Sequence, residues 1–126
     1  MSGESNHNKD LEYFISEKGP FLVLSLMGTI TKATASVMEK CQTEISKSKT
    51  DKVIVSLHDV SAIDHAGIPA LVQLQMAIRK KPATLRLCFL RPDFQKDLVQ
   101  KAAIRLPEVS TNLQDALRDL GALPKK

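Results

Sequence analysis

Three apolar runs too short to be helices constrain this chain more than any other feature. They are "FLVLSL" (21–26), "VIVSL" (53–57) and "LRLCFL" (85–90), each apolar at nearly every position and the middle one rich in β-branched residues. That is the pattern of strands covered on both faces. The stretches between them can each hold a whole helix, so neighbouring strands run parallel, because only a long return brings a chain back in the same direction.

The connecting segments carry helical periodicity. Behind a capping Thr31, Val37, Cys41 and Ile45 recur every fourth residue with Met38 beside them, while Glu39, Lys40, Thr43 and Glu44 face away. A second helix is predicted from about Gly67 to Lys80, stopped by Lys81-Pro82 because the residue before proline is pushed out of the α region. Phe94, Leu98 and Val99 fall at helical spacing behind a cap at Asp93. Leu113, Ala116, Leu117 and Leu120 make a last helix ending at Gly121. Leu11 to Ser16 reads as a short edge strand before the turn Lys18-Gly19-Pro20, and Gly28 is expected to end the strand that follows. Arg105 to Val109, interrupted by Pro107, is at most another edge strand. The sum is an α/β domain with a four- to five-stranded, mostly parallel central sheet and about four helices. A polar leader (1–10), one domain (11–122) and a short basic tail (123–126) divide the chain.

Bulk properties exclude several functions. Net charge is +4, but the basic residues gather only at Arg79-Lys80-Lys81, a helix end where cations suit the dipole, and at the tail. With 4% aromatic residues there are no platforms for stacked bases, so no nucleic-acid partner is expected. Cys41 and Cys88 lie far apart in no metal-binding spacing and read as buried thiols. No apolar stretch approaches membrane length, which points to a cytoplasmic protein without membrane insertion. Phosphate-cradling glycine loops, the serine-hydrolase elbow and the zinc-protease motif are all absent from the sequence.

One stretch stands out, "DVSAIDHAGIPAL" (59–71), where a strand gives way to a helix through a carboxylate, an imidazole, Gly67 and Pro69. Asp64 can accept from the unpaired N–H groups of the first turn, Gly67 allows close backbone approach, and Pro69 lacks a donor that the first turn does not use. His58, Asp59, Asp64 and His65 could converge at the C-terminal edge of the sheet, but their spacing matches no metal signature, so neither metal nor cofactor is expected. In the helix that follows, Leu71, Leu74 and Ile78 make the stripe that covers the sheet. A second stripe, Ile68, Val72 and Met76, with Gln73 and Gln75 beside it, reads either as a surface for a partner or a second copy of the chain, or as a flank covered by a neighbouring helix.

In this order and spacing the segments "FLVLSLMGTI", "KVIVSL", "VSAIDHAGIPAL", "LRLCFL" and "NLQDAL" make the chain resemble a STAS domain, the fold of the anti-sigma-factor antagonists, from about Leu11 to Leu120. The resemblance implies a loop reading Asp-Ser-Ser-Gly or Asp-Ser-Thr-Gly, whose first hydroxyl is phosphorylated by a serine kinase that is also an anti-sigma factor. Here Asp64 and Gly67 match, but His65 replaces the hydroxyl and Ala66 follows it. Thr31 and Ser56 stand where the resemblance places acids around the phosphosite. The expectation is a non-catalytic regulator that binds a protein partner, either an anti-sigma factor of the serine-kinase type or another STAS protein, without the serine switch; a homodimer is possible. His65 would be the degenerate phosphosite, with Asp64, Ala66 and Gly67 as the helix start and Ile68, Val72, Gln73 and Met76 as the docking face. The alternatives are a module sensing a small ligand, a nucleotide or lipid, and an enzyme using Asp64 and His65 as an acid/base pair.

Overall fold

A computed structural model describes residues 10–18, 20–81 and 84–120. The leader up to residue 9, Gly19, Pro82, Gly121 and the basic tail lie outside them. Among the described residues five strands, β1 (Leu11–Lys18), β2 (Phe21–Ile30), β3 (Lys52–Ile63), β4 (Thr84–Cys88) and β5 (Val109–Ser110), form one sheet in the order β1-β2-β3-β4-β5. Only β1 is antiparallel to its neighbour; the pairs from β2 to β5 are parallel. Four helices, α1 (Ala35–Lys47), α2 (Ile68–Lys80), α3 (Pro92–Gln100) and α4 (Leu113–Asp119), supply the returns and one outer layer.

Alternation along the strands divides the core. Leu22, Leu24, Val53, Val55, Leu85 and Leu87 point to one face, where they meet Met38, Cys41 and Ile45 of α1, Leu71, Leu74 and Ile78 of α2, and Leu98 of α3. Ile54 and Cys88 point to the other, where Ala116 and Leu120 of the α4 region cover them. Each fully buried Leu or Ile contributes about 1.5–3 kcal/mol relative to exposure.

Several expected boundaries move. β3 runs on from Leu57 to Ile63, β4 stops at Cys88 rather than Leu90, and the expected edge strand Arg105 to Val109 is a 3-10 turn at Leu106–Glu108 followed by the two residues of β5. Gly28 does not end β2 but sits inside it at φ +125°, where a Cβ would lie 2.0 Å from the Asp10 carbonyl oxygen. The glycine lets β1 begin against β2, and the Thr29 N–H donates to the same oxygen at 2.7 Å. Helix α3 starts one residue before Asp93, capped by the extended backbone of Arg91 with Pro92 in its first turn. Asp93 instead accepts from Arg91, with Nη2 at 3.0 Å and Nε at 3.2 Å.

Candidate functional site

The far end of β3 builds the site. Its pairing with β2 slips between Ser25 and Met27 and again between Gly28 and Thr29, so that β3 carries extra residues over its last part. Such bulges bend a strand and turn its side chains. They carry β3 through the polar residues His58, Asp59 and Ser61 to Ile63, and its final turn comes to lie against the end of β2.

There the backbones of two segments lock. The Asp64 N–H donates to the Ile30 carbonyl at 3.1 Å, and the Gly67 N–H donates to the Asp64 carbonyl at 3.0 Å and to its carboxylate Oδ1 at 2.6 Å. Asp64 therefore closes the turn immediately before α2 rather than capping the helix itself, whose N-cap is Gly67. Gly67 has φ −84°, open to any residue, yet a Cβ there would stand 2.1 Å from the Ile30 oxygen and 2.8 Å from the Thr31 nitrogen. Its requirement is for space. Pro69 follows in the first turn.

This clamp sets His65 and Ala66 in solvent at the crown of the turn, with Asp64 exposed beside them. Below it, Thr31 donates its N–H to the buried Thr34 hydroxyl at 2.9 Å, and that hydroxyl donates on to the Thr29 carbonyl at 3.0 Å. His58 and Asp59 pair with each other instead of joining Asp64, Nδ1 to Oδ1 at 2.9 Å, and the His58 ring meets Phe89 edge-on at 5.0 Å. Among the described residues no three His, Cys, Asp or Glu side chains come together as a metal site.

The second stripe of α2 is rotated from its predicted place. Ile68 is buried in the main core and Val72 is half-buried against it, so the open strip runs Pro69, Gln73, Met76, Lys80, with Met76 51% exposed. Gln75, expected beside the stripe, is fully buried. The segment after α3 wraps that side of α2: the Gln75 amide donates to the Ala103 carbonyl at 2.8 Å, and Arg79 joins the Gln75 oxygen at 3.1 Å to the Glu108 carboxylate at 2.5 Å. Nothing in the periodicity of α2 announces this network, because its partners come 28 and 29 residues later.

Both cysteines are buried and free. Burial pushes the Cys41 thiol up to about 12, helped by nearby Glu44, and the Cys88 thiol to about 11 against a hydrogen bond from Ser56 that works the other way. Neither is a nucleophile at neutral pH.

The family model described as STAS domain matches residues 15–116. Solved structures share the fold at low identity. A single-substitution variant of RsbS from Moorella thermoacetica superposes with TM-score 0.73 at 14% identity, over 86% of this chain and 93% of that one. An anti-sigma factor antagonist from Mycobacterium paratuberculosis gives 0.73 at 16%, over 86% and 92%. The unphosphorylated form of the anti-sigma factor antagonist SpoIIAA gives 0.71 at 13%, over 90% and 100%. No curated protein matches the sequence.

Proposed function

The chain belongs to the STAS-domain family, and from that premise we propose that it acts by binding rather than catalysis. It docks a protein partner through the crown of the Asp64–Gly67 turn and the open strip of α2. The partner class is an anti-sigma factor of the serine-kinase type or another STAS protein, met in the cytoplasm. His65 carries the proposal: its exposed ring stands where the resemblance places a phosphorylated hydroxyl, on a turn whose glycine and aspartate are kept. An imidazole forms no phosphoserine ester, so docking is constitutive with respect to a serine kinase. The clamp favours this reading, since both Asp64 and Gly67 are engaged in holding the turn's shape, which a contact surface needs.

The test is incubation with ATP and a serine-kinase anti-sigma factor, followed by intact-mass measurement. The protein is expected to gain no phosphate. Stoichiometric phosphate on residues 58–67 would overturn the constitutive reading.

A further inference from the structure

A groove of about 370 Å³ runs between α1 and α2, beside the open strip. Met76 and Ala77 give it an apolar wall, and Lys80 and Lys81 stand at its lower end. Lys81 donates to the Ile45 and Ser48 carbonyls at 2.7 and 2.8 Å, which fixes its charge at the end of α1. On the α1 side, the Gln42 amide nitrogen is buried without a hydrogen-bond partner. A buried donor left unpaired costs about 1–3 kcal/mol, which the half-buried Gln42 side chain recovers by turning its amide toward an acceptor in the groove. No carboxylate is among the described residues lining it.

From these features we infer that the groove receives an acidic segment of the protein partner, with an apolar side chain laid on Met76 and Ala77, a carboxylate facing Lys80, and an oxygen accepting from Gln42. The inference rests on the docking role proposed above and names the partner's chemistry. Two cations, an unpaired donor and no anion leave a basic or neutral segment without electrostatic gain. An oligonucleotide would find the positive charge but no aromatic ring in the lining to stack on.

The experiment is a nitrogen-edited NMR titration of the whole chain with a synthetic peptide of repeating Glu-Glu-Leu, beside the same peptide with Lys for every Glu and beside an oligothymidylate. The acidic peptide is expected to shift the amides of Gln42, Met76 and Ala77, with affinity falling about tenfold as salt rises from about 0.05 to about 0.5 M. Lys80→Glu should weaken it about fivefold while the unfolding midpoint holds, and Gln42→Leu should weaken it about fivefold while the midpoint rises, because the unpaired donor is gone. Equal binding of both peptides, tighter binding of the oligothymidylate, or no shift in the groove would overturn the inference. Shifts confined to residues 64–69 would do so while leaving the proposed docking turn intact; groove shifts with a turn indifferent to the partner would fault the docking turn instead.

Discussion

Replacing Gly67 with alanine tests the clamp most sharply, because general expectation and this structure give opposite signs. At φ −84° alanine is conformationally welcome, and such replacements commonly stabilise a protein by about 0.4–1 kcal/mol through the unfolded chain. Here the new methyl would stand 2.1 Å from the Ile30 carbonyl oxygen, whereas carbon–oxygen contacts settle near about 3.3 Å, so the segments must part by about 1 Å. Overpacking of that kind costs about 1–3 kcal/mol. The movement also stretches the Asp64 N–H bond to Ile30 and the 2.6 Å bond from Gly67 to Asp64, at about 1 kcal/mol each. The expected loss is about 3 kcal/mol, or about 10 °C in melting temperature for a chain of 126 residues. Urea unfolding followed by circular dichroism, with an unchanged slope, is the assay. Stability equal to or above wild type would refute the claim that space at Gly67 holds the turn.

Other outcomes follow from the same contacts. Gln75→Ala strips the Ala103 carbonyl of its donor and opens a cavity, and should cost about 2–3 kcal/mol in urea unfolding; a change below about 0.5 would deny the network a structural role. Lys81→Met removes the donor from two carbonyls at the end of α1 and should cost about 1 kcal/mol, measured the same way. Burial holds the pKa of the Cys41 and Cys88 thiols up, to about 12 and about 11, and the hydrogen bond that the Tyr13 hydroxyl donates to Glu44 holds its pKa up to about 12. These groups ionise more easily unfolded than folded, so their stabilisation is complete below pH 9 and is lost as pH rises through the folded values. Urea midpoints should therefore fall between about pH 9 and 11, and a flat profile would contradict the burial of both thiols.

The architecture was legible because burial on two faces writes itself as unbroken apolar runs and helical burial as a fourfold repeat. The runs at 21–26 and 53–57 became strands whole, the run at 85–90 became one as far as Cys88, where Phe89 turns to positive φ, and the four periodic segments became α1 to α4. Less legible was anything set by contact with distant chain. β3 extends to Ile63 through residues as polar as His58 and Asp59 because bulges, not periodicity, carry it. The open strip of α2 is displaced because the segment holding Ala103 and Glu108 covers one flank, so that Ile68 and Gln75 are inside while Gln73 and Met76 are out. Gly67 and Pro69 were readable as helix-start residues from chemistry alone, whereas Asp64, expected as the cap, closes the turn before the helix. That Gly67 is demanded by the Ile30 carbonyl was not readable, since the neighbour lies on another strand.

Met76→Asp tests the docking claim most directly, because Met76 is 51% exposed whereas Val72 packs on the core and would confound binding with folding. Affinity capture quantified by mass spectrometry compares wild type with this variant and with Lys96→Asp, a charge reversal at an exposed site on α3. The expected result is a protein held equally by wild type and Lys96→Asp and depleted about tenfold or more by Met76→Asp. Identical captured sets for all three proteins would contradict it.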